Sequence, residues 1–396
     1  MGASRRLSRP PRCPPAVTAS DPDPAADPLD PLDPGPVDVA VVGAGVSGLH
    51  AADRLRRAGR SVRVLEARPR VGGRLLTLRG PATAGGPPLR LDLGASWHWP
   101  HEARVAGLLA ELGLEAFAHH EAGSALFDGP AGPGPLPPGA MASAARRVRG
   151  GYAAVTEALA ERLGPGELAL DAAVGSVRHL GATGGFRVRT RRGAVRAAWV
   201  LVALPPALAE HAIAFDPPLA PVTAAAARRT PVWMGDTVKT VAVYDRPFWR
   251  EAGLSGAAFS HRGPLREVHD LSGPDGGPGA LFGFSPAAPP GSTPGTPPGS
   301  AADHAAVLGQ LVRLFGPEAA SPLGVHALDW SREAQTCPPH AGRVRRDLPF
   351  GHPALAGAWG PDRLLGCSCE THPGHGHVED ALAASERAVA RVLAGG

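Results

Sequence analysis

Three observations predict an α/β fold in which a Rossmann-like dinucleotide-binding domain carries a second, smaller domain. A short β-branched apolar run at residues 37–42 is typical of a buried parallel strand. A glycine-rich turn and a helical pattern follow it, and the next apolar run, residues 61–65, ends at Glu66. These segments form one βαβ unit. With 396 residues, 43% of them hydrophobic, the chain is long enough to bury a further core.

The other elements follow in chain order from hydrophobic periodicity and turn residues. Residues 1–36, with repeated Asp-Pro units, predict a disordered leader. The predicted helices are residues 46–57, 151–163, 302–315 and 378–393. The predicted later strands are residues 168–177, 186–190, 194–202 and 238–244. A loop rich in proline, glycine and serine is expected at residues 285–300.

Composition excludes several classes of function. The net charge is +4, the arginines are scattered and aromatic residues make up 5%. The sequence therefore lacks the basic stretches interleaved with aromatics that are typical of nucleic-acid binding, and no nucleic-acid partner is expected. The four cysteines (Cys13, Cys337, Cys367 and Cys369) are too few and too unevenly spaced for a disulfide framework, which favours a reducing, cytoplasmic location. The sequence contains no run of 18 apolar residues, so no membrane-spanning helix is predicted. We therefore expect a small-molecule substrate, with the oligomeric state left open.

A glycine motif, Gly43-x-Gly45-x-x-Gly48, joins the first strand to the first helix. Gly43 permits the tight turn, Gly45 lets the backbone approach a pyrophosphate, and Gly48 lets the helix pack on the strand. The N–H groups at the start of the helix favour phosphate. Glu66 ends the second strand, where a carboxylate can accept hydrogen bonds from ribose hydroxyls. The alternative, a glycine turn without a ligand, fits this strand–turn–helix context poorly.

The stretch after the second strand distinguishes FAD from NAD. Residues 66–74 read Glu-Ala-Arg-Pro-Arg-Val-Gly-Gly-Arg, and here the chain resembles the flavin-containing amine oxidoreductase family, which includes monoamine and polyamine oxidases. In that family the two glycines let the backbone wrap near the flavin side of the cofactor, and the arginines approach its phosphates. The resemblance implies an FAD cofactor, with Arg70 and Arg74 as candidate contacts. The alternative is that the two arginines have no role in cofactor binding, but their spacing around the glycines argues against this alternative.

The resemblance continues over nearly the whole ordered chain. Residues 91–98 look like the family segment beneath the flavin ring, and residues 148–152 are similar to its Gly-Gly entry into a helix. Val174 matches the residue whose backbone the family uses against adenine. Residues 203–206 look like the family's Pro-Pro exit from a strand, and residues 247–256 also match. Each match is short, and their shared order is what makes the resemblance specific.

The resemblance implies a set of FAD contacts and a division into domains. The implied contacts are Gly43, Gly45, Val46, Ser47, Gly48, Glu66, Ala67, Arg68, Arg70, Gly73, Arg74, Gly94, Ala95, Ser96, Val174, Glu370 and Val378. The implied architecture is that of the amine oxidases and glutathione reductase-like proteins. Its FAD-binding domain is assembled from residues 37–90, 147–208 and 350–396, and its reduced substrate-binding domain from residues 91–146 and 209–349.

Lys239 is the single lysine of the chain, since every other basic residue is arginine. Nucleotide bias replaces lysine by arginine where either side chain serves, so a retained lysine indicates a need for a compact, titratable ammonium. By the resemblance it falls on the family's active-site lysine, which holds a water against flavin N5. Burial there would lower its pKa. The alternative is a lysine at a strand edge whose ammonium reaches solvent.

Close to the C-terminus the chain departs from the family pattern. His377 replaces the tyrosine that forms one wall of the aromatic cage over the flavin, and Asp380 replaces a glycine close to the cofactor. The second cage aromatic, expected after Trp330, is missing. Trp97, Trp330 and His377 are the candidate substrate-pocket residues. Cys337 is the nearest candidate for covalent attachment of FAD, but its spacing from Trp330 does not match, so non-covalent FAD is expected.

A rival interpretation of the same region is a metal site. Cysteine, glutamate and histidine side chains fall within eleven residues there: Cys367, Cys369, Glu370, His372, His375 and His377. A CxC pair followed by HxxHxH is not a structural-zinc spacing, and closing a tetrahedron from one short loop would be strained. We therefore expect no metal.

The favoured function is FAD-dependent oxidation of an amine by hydride transfer to flavin N5. Oxygen would be the electron acceptor, and the products an imine or aldehyde, ammonia and hydrogen peroxide. Two alternatives stay open. One is oxidation or desaturation of a larger, non-amine substrate, which the lost cage favours. The other is a flavin-binding or flavin-free protein in which Asp380 and the cage losses have ended catalysis.

Overall fold

The structure is a computed structural model that describes residues 35–81, 88–137, 139–181, 183–287, 300–339 and 350–395. The predicted leader, apart from its last two residues, lies outside the described residues, as does Cys13. Most of the loop expected at residues 285–300 also lies outside them.

The elements of the described residues are numbered in chain order. The α-helices are α1 Val46–Arg57, α2 Ala103–Glu111, α3 Ala153–Glu161, α4 Pro206–Ala212, α5 Pro221–Arg229, α6 Phe248–Glu251, α7 Ala301–Phe315, α8 Pro353–Ala356 and α9 Val378–Ala394. The strands are β1 Val37–Val42, β2 Val62–Leu65, β3 Thr77–Arg79, β4 Arg90–Asp92, β5 Ala116–Ala118, β6 Ser124–Gly129, β7 Gly132–Pro135, β8 Arg146–Val148, β9 Leu168–Ala169, β10 Val174–His179, β11 Phe186–Thr190, β12 Gly193–Val202, β13 Ala214–Asp216, β14 Thr237–Tyr244, β15 Leu254–Ser260, β16 Glu267–Asp270, β17 Gly279–Pro286, β18 Gly324–Asp329 and β19 Leu364–Gly366. Among the helices of this described part, none is long and apolar enough to cross a bilayer.

An eight-stranded sheet forms the first half of the fold, in the order β13-β10-β11-β12-β1-β2-β9, with β19 also beside β12. β1 pairs in parallel with both β2 and β12, which places the predicted βαβ unit at the sheet centre. Helices α1, α3 and α9 cover one face and α4, α5 and α8 contribute to the core on the other. From Val39 to Val42 the strand β1 is buried on both faces, and its sequence there is continuously apolar instead of alternating. The predicted α/β fold class is confirmed.

A seven-stranded sheet forms the second half, in the order β18-β14-β17-β16-β15-β6-β7. Helix α7 packs on one of its faces. The register aligns Lys239 with Phe284, and Phe284 with Glu267, across β14, β17 and β16. Residues directly opposite one another in a sheet point to the same face. These three side chains therefore share the face that looks toward the first sheet, where all three line a cavity.

The predicted strand over residues 168–177 is wrong, because two strands occupy it. β9 pairs with β2, whereas β10 pairs with β11 and β13. Asp171 lies between them with a φ of 54°, a left-handed conformation that ends an extended run. The other predicted elements match the structure to within two residues at each end.

Three elements pack outside the domains that the sequence boundaries give them. Helix α2 lies within residues 91–146, expected in the substrate-binding domain, but it packs against α9 in the core of the first sheet. Residues 209–349 were expected in the substrate-binding domain, but β13 is an edge strand of the first sheet. Helix α5 packs against α4 and α8 in the core of that same sheet. The first sheet therefore includes residues beyond 208, where the first domain was expected to be interrupted. The domain boundaries as a whole stay a prediction.

Candidate active site

A cavity of about 1230 Å³ connects the two sheets. Its wall includes the turn between β1 and α1 at one end and Lys239 on β14 at the other. In a parallel α/β sheet, ligands bind outside the carboxyl ends of the strands. The cavity begins at that edge, since Val42 and Leu65, the last residues of β1 and β2, also line it.

The turn before α1 leaves its backbone bare toward the cavity. Gly43 has a φ of 103°, and a Cβ there would lie 2.9 Å from Leu204 Cδ2. A Cβ on Gly48 would lie 2.1 Å from the Gly43 carbonyl oxygen, so only glycine allows this helix to sit so close to the strand. Gly45 has open space where a Cβ would be, and α1 begins without a side-chain cap or an acidic first turn. This cradle fits the pyrophosphate of a dinucleotide.

Glu66 is held in place at the end of β2. Its Oε2 accepts a hydrogen bond from the Ala44 N–H at 2.7 Å, and its Oε1 accepts one from the Arg68 N–H at 2.9 Å. The carboxylate is buried and lines the cavity beside the glycine turn. Carboxylates that accept backbone N–H bonds are fixed in orientation, so the remaining lone pairs of Glu66 can serve ribose hydroxyls.

Arg74 and Glu370 form a buried, two-pronged ion pair. Arg74 Nη1 lies 2.6 Å from Glu370 Oε1, and Nη2 lies 3.2 Å from Oε2. Burial acts to raise the pKa of Glu370, but Arg74 beside it and hydrogen bonds to its charged form hold that pKa below its usual value. Arg74 lines the cavity and Glu370 does not. Glu370 therefore orients Arg74 instead of facing the cavity itself.

Lys239 is fully buried at the other end of the cavity. Its Nζ donates hydrogen bonds to the Gly94 carbonyl at 2.9 Å and to Ser96 Oγ at 2.5 Å. It also lies 4.2 Å from the centroid of the Phe282 ring. Burial lowers the pKa of Lys239 to about 7, against an opposing effect of the Asp92 carboxylate. Since β14 has a partner strand on both sides, the alternative of a lysine at a strand edge is excluded.

Tryptophans and a histidine surround the Lys239 end. The Trp99 ring stacks on His377 with 5.0 Å between centroids and 21° between planes, and Trp233 lies 5.8 Å from the same imidazole. His377 Nδ1 is 2.9 Å from Glu102 Oε1, which fixes the ring. Trp97 lines the cavity alongside them. His377 thus has aromatic neighbours in place of the cage that the family pattern would supply.

Asp380 caps the helix that follows His377. Its Oδ2 accepts backbone N–H bonds from His375 at 2.9 Å, Gly376 at 2.8 Å and His377 at 3.0 Å. An acidic side chain is favourable at a helix N-terminus, which explains the substitution structurally. Asp380 is not part of the cavity wall, although Gly376 and Val378 on either side of the cap are.

Most predicted FAD contacts meet in this one cavity. Its wall includes Gly43, Gly45, Val46, Ser47, Glu66, Ala67, Arg68, Gly73, Arg74, Gly94, Ala95, Ser96, Val174 and Val378. Gly48, Arg70 and Glu370 are not part of it. The Arg70 guanidinium instead donates to the Val71 and Gly73 carbonyls, both at 3.1 Å, and so stabilises the turn. The candidate pocket residues Trp97, Trp330 and His377 all line the cavity.

Cavity residues near Lys239 that were not predicted include Trp99, Trp233, Glu267 and Phe284. Trp99 could have been found, because it stands two residues after Trp97 and its side chain can reach the same region. Glu267 gave no local signal, since its position depends on the register of β16.

As for the Cys/His stretch, no group of three or more potential ligands close enough to hold a metal ion occurs among the described residues.

Comparison with known proteins gives consistent results. Residues 138–393 match the model of the flavin containing amine oxidoreductases, and residues 41–112 match that of an NAD(P)-binding Rossmann-like domain. The chain is 28% identical to a putrescine oxidase of Kocuria rosea, over 91% of this chain and 95% of that protein. It is 30% identical to a putative flavin-containing monoamine oxidase of Mycobacterium tuberculosis, over 91% of this chain and 97% of that protein.

Solved structures share the fold. A putrescine oxidase bound to putrescine superposes with a TM-score of 0.75 at 25% identity, covering 90% of this chain and 99% of that one. The cyclohexylamine oxidase from Brevibacterium oxydans IH-35A has a TM-score of 0.76 at 21% identity, covering 91% and 99% respectively. The arrangement of the two sheets is therefore common to all three.

Proposed function

The chain belongs to the flavin-containing amine oxidoreductase family, with FAD as its cofactor, and from that premise we propose that it oxidises a small-molecule amine with oxygen as electron acceptor. The products would be an imine or aldehyde, ammonia and hydrogen peroxide. The observation that carries this proposal is the position of Lys239. The single lysine of the chain is buried in the wall of the cavity that begins at the dinucleotide turn.

Different residues along the cavity are expected to contact different parts of FAD. We infer that the bare turn at Gly45 holds the pyrophosphate, Glu66 the ribose and Val174 the adenine. Arg74, oriented by Glu370, supplies a positive charge between this region and Lys239. When bound, FAD would supply the redox chemistry, which is acceptance of a hydride from the carbon beside the amine and transfer of the electrons to oxygen.

The Lys239 end binds and orients the substrate. The aromatic rings of Trp97, Trp99 and His377 line this end of the cavity and can contact the carbons next to the amine. Gly94 and Ser96 fix the Lys239 Nζ atom, so its charge or its lone pair acts at one defined place. A pKa of about 7 lets this nitrogen exist in both protonation states at neutral pH.

The test of the proposal is a spectrum of the purified protein followed by an amine panel. We expect a yellow protein whose flavin bleaches with at least one amine in the absence of oxygen, and which produces peroxide when oxygen is admitted. Bleaching by a non-amine reductant alone would favour the non-amine alternative. A protein that stays colourless after FAD is added would refute the proposal.

We expect FAD to be held without a covalent bond, although Cys337 lies in the cavity wall. The thiolate is the reactive form of cysteine, and burial raises the pKa of the Cys337 thiol to about 11, so the thiol stays protonated at neutral pH. Precipitation with trichloroacetic acid should leave essentially all flavin absorbance in the supernatant. Flavin that remains with the pellet of the wild type but not of a Cys337→Ser variant would contradict this expectation.

A further inference from the structure

Three arginines stand in one row on an exposed face of the first sheet. Arg178, Arg187 and Arg196 lie directly opposite one another on the neighbouring strands β10, β11 and β12, so their side chains point to the same face. In each strand the residue next to the arginine is a valine buried in the core of the other face: Val177, Val188 and Val195. The Arg178 side chain is 54% exposed, and Arg196 is exposed as well. We call these three residues the arginine row.

The arginine row concentrates positive charge. Like charges directly opposite each other in a sheet repel, so anionic groups that lie across the row stabilise it. Asp216 on β13 continues the row past Arg178, and its Oδ2 lies 2.7 Å from Arg178 Nε. This aspartate stands at one end of the row, whereas Arg196 stands at the other. The Arg196 end therefore favours a further anionic ligand.

The N-terminal leader contains an acidic repeat that the proposed function does not use. Residues 27–34 read Asp-Pro-Leu-Asp-Pro-Leu-Asp-Pro, so aspartate recurs at every third position. The residue before a proline is biased toward extended conformations, and a polyproline II helix has three residues per turn. With a rise of about 3.1 Å per residue, Asp30 and Asp33 would project from one side of such a helix about 9 Å apart.

The spacing of the acidic repeat matches that of the arginine row. Arg196 and Arg178 are two strand spacings apart, or about 10 Å. The leader also joins the sheet at the Arg196 end, because Val37, the first residue of β1, pairs with the residue that follows Arg196. Asp33 precedes Val37 by four residues, and an extended chain of that length spans up to about 14 Å. Asp33 can therefore meet Arg196 while Asp30 lies over the far half of the row.

We propose that the acidic repeat of the leader binds the arginine row of its own chain, with Asp33 at Arg196 and Asp30 further along the row. Single ion pairs on a surface contribute little to stability, but several charges in one network contribute more. The prolines restrict the free leader, so less conformational entropy is lost when it binds. The contact ties the N-terminal segment to the sheet that carries the dinucleotide turn.

Photo-crosslinking of the full-length protein locates the leader. Leu29, inside the repeat, is replaced by p-benzoylphenylalanine, and the peptides joined on irradiation are identified by mass spectrometry. We expect most cross-links to fall within β10 and β11. Asp30→Asn with Asp33→Asn should reduce their yield about fivefold or more, since the charges that meet the row are lost. The matched control, Asp21→Asn with Asp23→Asn, removes equal charge outside the three-residue period and should keep most of the yield. Equal loss in both double variants, cross-links elsewhere on the chain, or a product of twice the mass of the chain would overturn the proposal.

Thermal unfolding gives a second readout that does not depend on the proposed chemistry. At low salt, Asp30→Asn with Asp33→Asn should lower Tm by about 2 °C. Replacing the three row arginines by glutamine should abolish this shift, because the two sets of charges then no longer interact. At 1 M salt the Debye length is about 3 Å, so the shift should disappear there too. The salt series needs only the leader variant, so it decides the question even if the arginine variant does not fold. An unchanged Tm at low salt, or a shift of equal size at 1 M salt, refutes the contact.

Discussion

Lys239→Met should slow reoxidation of the reduced flavin by oxygen by about 100-fold or more, the usual loss when one preorganised electrostatic group is removed from a site that excludes water. Methionine keeps an unbranched side chain of similar length, one heavy atom shorter, and removes the nitrogen. The measurement is stopped-flow mixing of anaerobically reduced protein with oxygenated buffer. Bleaching by substrate should change less, because the proposed role lies in the reaction with oxygen. Unchanged reoxidation would remove Lys239 from the mechanism.

The same experiment predicts a pH dependence. The folded-state pKa of Lys239 is lowered to about 7 by burial, so the ammonium is present below this pH and is lost as the pH rises through it. If the ammonium assists oxygen reduction, the reoxidation rate of the wild type falls as the pH increases from 6 to 8. Lys239→Met should show a flat profile over this range. A profile of the same shape in both proteins would assign the titration to another group.

Arg74→Leu should lower the free energy of unfolding by about 3–5 kcal/mol, because it leaves the Glu370 carboxylate buried without its partner. Glu370 is fully buried, so its carboxylate has lost its contact with solvent in the folded protein and depends on Arg74 for compensation. The measurement is urea unfolding of the apoprotein, which keeps any loss of FAD affinity out of the comparison. FAD binding should weaken as well, since Arg74 lines the cavity.

Two further variants make the ion-pair prediction specific. Arg74→Leu combined with Glu370→Leu should be more stable than Arg74→Leu alone, because no buried charge is then left over. Arg90→Leu, which breaks an exposed pair with Glu157 at 3.9 Å, should cost less than about 1 kcal/mol. If Arg74→Leu costs no more than Arg90→Leu, the pair has no structural role.

The sequence predicted the first domain well because its signals are local. The strand, the glycine turn and the helix occupy one continuous stretch, and α1 begins and ends at the predicted residues, Val46 and Arg57. The strand expected over residues 168–177 failed because Asp171 adopts a left-handed conformation that its residue type does not require. Periodicity describes which faces are apolar and does not register such a turn.

The candidate site divides along the same line. Gly45 and Glu66 were predictable because the motif carries their spacing. Glu267 comes from a strand two positions away from Lys239 in the sheet, and only the pairing of β14, β17 and β16 brings the two to one face. Arg70 was expected to contact FAD because of the resemblance to the family, yet its guanidinium binds the carbonyls of its own turn. Spacing in the sequence indicates which residues lie near a site, but the direction in which each side chain points depends on packing.

The solitary lysine also gives the molecule an unusual chemical surface. Apart from the α-amino group, the protein has one primary amine, that of Lys239. It is buried in the cavity wall and has a pKa of about 7. The basic groups on the exterior are guanidinium or imidazole. Amine-directed reagents such as activated esters therefore find no side chain to acylate on the surface. A reagent small enough to enter the cavity meets a single nucleophilic nitrogen, so Lys239 is an intrinsic, one-site reporter of access to the cavity.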